Sequence, residues 1–337
     1  MDPISQRPDI PPIGGPALPA APVVAAATSP LTAAALVLFD RLDLNHDGAL
    51  ATKELKLAID DATWKGTDAA TVVTLWEDRK DLAGASPDAL KGITRADLTA
   101  FGARPSEARS KSADGTFTRA QARVAEKNTQ LFPEGLASIT PEAVQQGTIG
   151  DCYFLSALAG LAAIDPAAIQ EMITVKDDGS YEVKFAKKTV TIPPLSDADY
   201  ARFSGSPQGN WVTVIDKAFQ AYTPHADTGG LARGIRALTG NRSKAYLAMK
   251  PFSAEKLTRD ISKAQQEGRI MVASRTWTKA GDLRPGHVYT ILGYDAVRDR
   301  VSIRDPHGDI GPAKNGRIEL SAAEFRDLFD LVSIQRR

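Results

Sequence analysis

The sequence of 337 residues holds a single cysteine. No intrachain disulfide can form, so the fold takes no covalent staple from an oxidising compartment. No apolar run approaches the ~18–20 residues that a membrane span needs. Neither sign of charge is in excess: Lys+Arg and Asp+Glu both number 41, a formal net charge of zero. A chain so balanced carries no global signature for nucleic acid or an anionic membrane as partner. Early basic residues are scarce too. Arg7 stands alone there, and Pro11, Pro12, Pro16, Pro19 and Pro22 interrupt the stretch where the apolar part of a secretory signal would lie. The expectation is a cytoplasmic protein, or one exported by a route without a recognisable Sec signal. Hydrophobic residues reach 43%, enough to fill genuine cores. About two domains are expected, at ~100–200 residues each.

Residues 1–30 are rich in Pro, Ala and Gly and read as a flexible tail. Ser29 before Pro30 is a helix-start signal. Over 31–103 the apolar spacing is helical: Leu36, Phe39 and Leu42, then Leu55 and Ile59, then Val72, Val73 and Trp76. Residues 104–135 are polar and read as a connector with a short helix near 118–127. From 136 the texture changes. A helix is predicted over 152–163, a strand pair within 180–192 and a second core helix at Trp211–Tyr222. Strands follow at 269–275, 287–294 and 300–305, with a closing helix at 321–329. Helices followed by an antiparallel sheet predict an α+β unit over 136–337.

Residues 43–54 read DLNHDGALATKE. They match every fixed position of a calcium loop between two helices, the EF-hand pattern. Asp43, Asn45 and Asp47 supply oxygens, Gly48 permits the sharp turn, Ala49 offers its carbonyl, and Glu54 can bind through both carboxylate oxygens. A hard cation wants many oxygens around one point, so Ca2+ is the expected cofactor. Ala51 brings no side-chain oxygen, and His46 reads as a solvated loop residue. Such hands pair. The stretch 68–98 resembles a second hand whose loop lacks carboxylate spacing, and Asp114–Gln121 keeps a remnant of a third.

Residues 146–158 read QGTIGDCYFLSAL. Cys152 falls at the first turn of the predicted helix, where the dipole and free amides favour thiolate over thiol. A lone cysteine can equally be a small buried hydrophobe, so a base must be found. Of four histidines, His46 belongs to the calcium loop, His225 to an irregular segment, and His307 to a loop beyond Pro306. His287 opens a strand that turns near residue 297 and returns to Asp305. Both then reach the same end of one hairpin, and Asp305 can orient the imidazole. The amide of Gln146 can join the Cys152 N–H in holding an oxyanion.

At these residues the sequence resembles the calpain family of cysteine proteases. The likeness rests on Gln146, Gly147, Gly150, Asp151, Cys152, Tyr153, Gly286, His287, Pro306 and Gly308. Residues 211–222, 237–241 and 316–329 resemble further family segments. Asp305 stands where the family has asparagine, and His307 where it has tryptophan. Family calcium hands usually follow the catalytic core, whereas this one precedes it. The resemblance implies an α+β, two-lobed papain-like protease with Gln146 and Cys152 in the first lobe and His287 and Asp305 in the second. An all-α EF-hand module would precede it. The activity implied is calcium-regulated hydrolysis of a protein or peptide substrate. Two alternatives remain open: a transglutaminase-type acyl transferase, and an inactive calcium-binding interaction protein on the same scaffold.

Overall fold

The computed structural model of the protein describes residues 29–84, 92–223, 226, 229–247, 253–275, 283–308 and 314–337. The expected tail, up to residue 28, and His225 lie outside the described residues.

The first helix, Pro30–Leu42, begins where the sequence signals it: Ser29 Oγ accepts the Thr32 amide at 3.1 Å. Helices Thr52–Asp60, Gly66–Glu77 and Arg95–Gly102 follow. They form two helix-loop-helix units joined back to back by a short antiparallel bridge, Ala49 opposite Thr94 and Leu50 opposite Ile93. Leu38, Phe39, Leu55, Val73, Leu98 and Phe101 fill the core between them.

The stretch expected as a connector is part of this bundle. Its helix runs Ala113–Ala125 rather than 118–127, and Phe117, Ala120 and Val124 complete the core. The Asp114–Gln121 remnant therefore lies inside a helix and forms no loop. Asp114 there pairs with Arg109 at 2.9 Å and accepts from Ser29. Helix Asp197–Arg202 from farther along inserts Ala198 and Ala201 into the same core.

Helix Cys152–Ile164 forms the centre of the remaining chain. It is apolar all round, as a helix with no solvent face must be, and Phe154 through Gly160 are all buried. Phe154 stacks flat on Phe219 of helix Trp211–Tyr222, centroids 3.7 Å apart. Helix Leu231–Thr239 and a three-stranded sheet (Ile173–Val175, Tyr181–Lys184, Thr189–Ile192) complete that lobe.

The second lobe is a six-stranded antiparallel sheet. Its spatial order is Arg317–Leu320, Arg300–Arg304, His287–Asp295, Met271–Arg275, Leu331–Gln335, Ser243–Leu247. Successive strand residues face opposite sides. Val272 and Val288 point to the Cys152 helix. Met271, Ala273, Tyr289 and Ile291 point away, under Leu257 and Ile261 of helix Ala254–Gln266 and Phe325 of helix Ala322–Leu328. The helices Leu231–Thr239 and Ala254–Gln266 and the strands Ser243–Leu247 and Leu331–Gln335 have no counterpart in the sequence-based expectations. Among the described residues no single helix is long and apolar enough to cross a membrane.

Candidate active site

Cys152 is the first residue of its helix, with Asp151 at the N-cap and no side chain capping the opening amides. The positive end of the helix therefore faces the sulfur. The loop before it is drawn tightly onto helix Asp197–Arg202: a Cβ on Gly147 would meet the Arg202 carbonyl at 2.3 Å. Only glycine fits there.

The imidazole of His287 lies under the influence of the Cys152 side chain, which favours its charged form. Its Nε2 lies 2.9 Å from Asp305 Oδ1, which leaves Nδ1 for the sulfur. The hairpin explains the placement. Thr290 pairs with Arg304, so Tyr289 opposes Asp305 and His287 lies two residues along on the same face. That diagonal is within reach of long side chains. Gly286, with φ +65°, turns the chain into the strand.

Burial of His287 opposes its charged form. The hydrogen bonds and charges of Asp305 and Cys152 outweigh it and hold the imidazole up at about 9. Burial likewise works against an ionised Asp305, but His287 and the His307 amide, which donates to Oδ1 at 2.8 Å, bring its carboxyl below the usual value. His287 is therefore protonated at neutral pH. Its contribution to stability is complete below about 6.5 and disappears as pH rises through about 9. Asp305 contributes above its usual value of 3.8 and loses that contribution as pH falls through its lowered one. Turnover is expected to fall along an alkaline limb near pH 9, read from kcat/KM against pH. A limb near the ordinary histidine value would contradict the ion pair.

His307 stacks on His287, centroids 5.0 Å apart and 22° from parallel. Burial and the His287 charge push it down to about 4, so it lies neutral over the imidazolium.

The lobes are fastened beside this centre. Ser156 Oγ donates to the Val288 carbonyl at 2.8 Å, and Thr290 Oγ1 donates back to the Ser156 carbonyl at 2.8 Å. Buried Arg304 donates to the carbonyls of Val144 at 2.8 Å and Glu142 at 3.2 Å. The Gln146 amide N–H donates to the Pro306 carbonyl at 2.8 Å. The Gln146 side chain gives one Nε2 hydrogen to the Ile149 carbonyl at 2.7 Å, leaving the second for a ligand. Ser156, Thr290 and Arg304 were not foreseen. A serine inside an apolar helix is the signal that could have singled out Ser156.

The 43–54 loop is closed by its own amides. Asp43 accepts from Asp47 N at 3.2 Å and Gly48 N at 2.9 Å, and Asn45 Oδ1 accepts from Asp47 N at 3.1 Å. Glu54 turns both oxygens to the backbone, Oε1 to Leu44 N and Oε2 to Ala51 N, each at 2.8 Å. Among the described residues no three or more His, Cys, Asp or Glu side chains converge as a metal-binding group. The oxygen donors fit a hard cation in kind and order. Glu54 would have to exchange its amides for the ion.

A model of the family described as "Calpain family cysteine protease" matches residues 96–319. Among curated proteins, the calpain-type cysteine protease DEK1 of Arabidopsis thaliana is 27% identical over 193 residues, 49% of this chain and 9% of that protein. The calpain-2 catalytic subunit of Homo sapiens is 23% identical over 207 residues, 52% of this chain and 29% of that protein. The chain thus spans under a third of the length of either relative. The family match begins in helix Arg95–Gly102, well before the boundary at 136 drawn from texture, and takes in the helix Ala113–Ala125.

Proposed function

Since the chain belongs to the calpain family of cysteine proteases, we propose that it hydrolyses peptide bonds of protein substrates through a thioacyl-enzyme formed on Cys152. The observation that carries this reading is the line from Cys152 through His287 to Asp305. The thiolate attacks the scissile carbonyl carbon. The resulting oxyanion is held by the Cys152 N–H and the spare hydrogen of Gln146 Nε2. His287 gives its proton to the leaving nitrogen, the C–N bond breaks, and a thioester remains. Water then attacks, with His287 taking its proton, and the acid product leaves a free Cys152.

The same thioester could pass its acyl group to an amine. Incubating full-length protein with a denatured polypeptide and a labelled primary amine separates the readings. Hydrolysis yields new α-amino ends without label, whereas acyl transfer yields labelled product. No turnover of either kind would leave only the calcium-binding reading.

The helix-loop-helix pair is, in the same reading, an EF-hand module that takes Ca2+ at Asp43, Asn45, Asp47, the Ala49 carbonyl and Glu54. Bound ion would offset the mutual repulsion of Asp43, Asp47 and Glu54. The test belongs on the whole chain, because Ala198, Ala201 and helix Ala113–Ala125 complete the module's core. Saturation 100-fold above Kd should stabilise the protein by about 2.7 kcal/mol. Glu54→Gln should lose most of that gain in a thermal melt. Melting indifferent to Ca2+ would remove the site. Regulation of turnover by the ion is a separate part of the proposal, read from the calcium response of Glu54→Gln turnover.

A further inference from the structure

A second pair of acidic side chains lies directly behind the nucleophile. Asp151, the residue before Cys152, and Asp216 of helix Trp211–Tyr222 are both fully buried. Their carboxyl groups share one donor, the side-chain amide of Gln220. Gln220 Nε2 reaches both, at 2.9 Å to Asp151 Oδ2 and 3.4 Å to Asp216 Oδ1. The Ser204 amide donates to Asp216 Oδ2 at 2.7 Å. Among the described residues no donor is directed at buried Asp151 Oδ1.

Two ionised carboxylates have only acceptors to offer each other, and like charges enclosed together disfavour the second ionisation, so a buried pair sharing one amide donor calls for a proton. The donors are unequally shared. Asp216 has a backbone amide at short range, and the charge of Asp216 also acts on buried Arg123. Asp151 has the Gln220 amide alone, and its orphaned oxygen is the one atom of the pair in need of a hydrogen. Burial, Asp216 and the neighbouring Cys152 all push the Asp151 carboxyl well above its usual value.

We infer that Asp151 is a neutral carboxylic acid donating to Asp216, and that this bridge is a positioning element for the nucleophile. It ties the N-cap of the Cys152 helix to helix Trp211–Tyr222 across the first lobe. It also keeps negative charge off the residue adjoining the sulfur, where an ionised Asp151 would oppose formation of the thiolate. Asp151 touches neither substrate nor reacting atoms. It acts through Cys152, and the inference rests on Cys152 being the nucleophile.

The first measurement is spectroscopic and does not depend on activity. Infrared difference spectra of the wild-type protein at neutral pH, referenced to Asp151→Asn, should show the carbonyl stretch of one protonated buried carboxylic acid. Absence of that band overturns the inference, whatever the role of Cys152. The second is the rate of Cys152 alkylation by iodoacetamide across pH. Asn replaces a neutral acid by a neutral amide that can still donate to Asp216, so the Asp151→Asn profile should overlay the wild type. An acid-ward shift of half a unit or more would mean that a charge had been removed, and would overturn the inference. Asp151→Ala, which leaves Asp216 and Gln220 without their partner, should lower kcat/KM about 10-fold more than Asp151→Asn. Equal losses would reduce the bridge to filler and likewise overturn it. Wild-type activity that survives complete alkylation would instead refute the nucleophile and leave the infrared result standing.

Discussion

Replacement of Cys152 by serine is expected to lower kcat/KM on a peptide substrate by about 10,000-fold or more, the scale on which loss of a triad nucleophile is felt. The reason lies in the imidazole. His287, held up at about 9, is already protonated at neutral pH, which suits a partner that ionises readily. A serine hydroxyl does not ionise there, and an imidazolium cannot accept its proton. The Ser variant therefore keeps the shape of the site and loses its chemistry. Folding is checked by an unchanged melt, and activity by hydrolysis of a quenched fluorescent peptide. A variant within 100-fold of the wild type would place the nucleophile elsewhere.

The second large effect is expected at Asp305. Asp305→Ala should reduce kcat/KM by about 100-fold or more, the usual range for general acid–base machinery. Burial would then be opposed by Cys152 alone, drawing the proton affinity of His287 down and shifting the alkaline limb below 9. Asp305→Asn keeps an oxygen for His287 Nε2 but not the charge, so the limb should shift less and the rate should fall less. Asn is not free of cost. Among the described residues Asp305 Oδ2 is buried without a partner, and an amide nitrogen in its place would be a buried donor with none of them to meet. Equal rates for Asn and Ala would show that Asp305 does not orient the imidazole.

How much of this could be read from the chain follows the range of each interaction. The helix that starts at Cys152 and the hairpin that carries His287 and Asp305 are local objects. Their periodicity, the turn near 297 and the motif residues identify them, and the turn position alone places His287 and Asp305 at one end. Helix Ala254–Gln266, absent from the expectations, nonetheless carries a local signal in Ser253 as cap and the spacing of Leu257, Ile261 and Ala264. The strand Leu331–Gln335 is different. Its place between Met271–Arg275 and Ser243–Leu247 is a matter of tertiary pairing that no local pattern records. The same holds for Asp216. A carboxylate among Val212, Val214 and Ile215 is conspicuous, but its partner Asp151 is far away in sequence and adjacent only in the fold. The module boundary was misplaced for a related reason: the polar residues of 104–135 conceal one apolar stripe, Phe117, Ala120 and Val124, that belongs to the preceding core.

The diagonal relation of His287 to Asp305 makes the geometry of the proposed catalytic site a matter of parity along one hairpin. Loss of a single residue within Val288–Thr290 would move His287 to the opposite face of the sheet from Asp305, without altering any member of the proposed triad. The far end obeys no such rule. The tip at residues 296–298 is exposed, with Val297 96% accessible. It lies about 27 Å of strand from His287 at ~3.4 Å per residue. Residues added there extend the loop and leave every pairing from Asp295–Arg300 to Thr290–Arg304 as it is. The hairpin thus offers a site for an inserted tag or reporter that reports on the enzyme without entering its arithmetic.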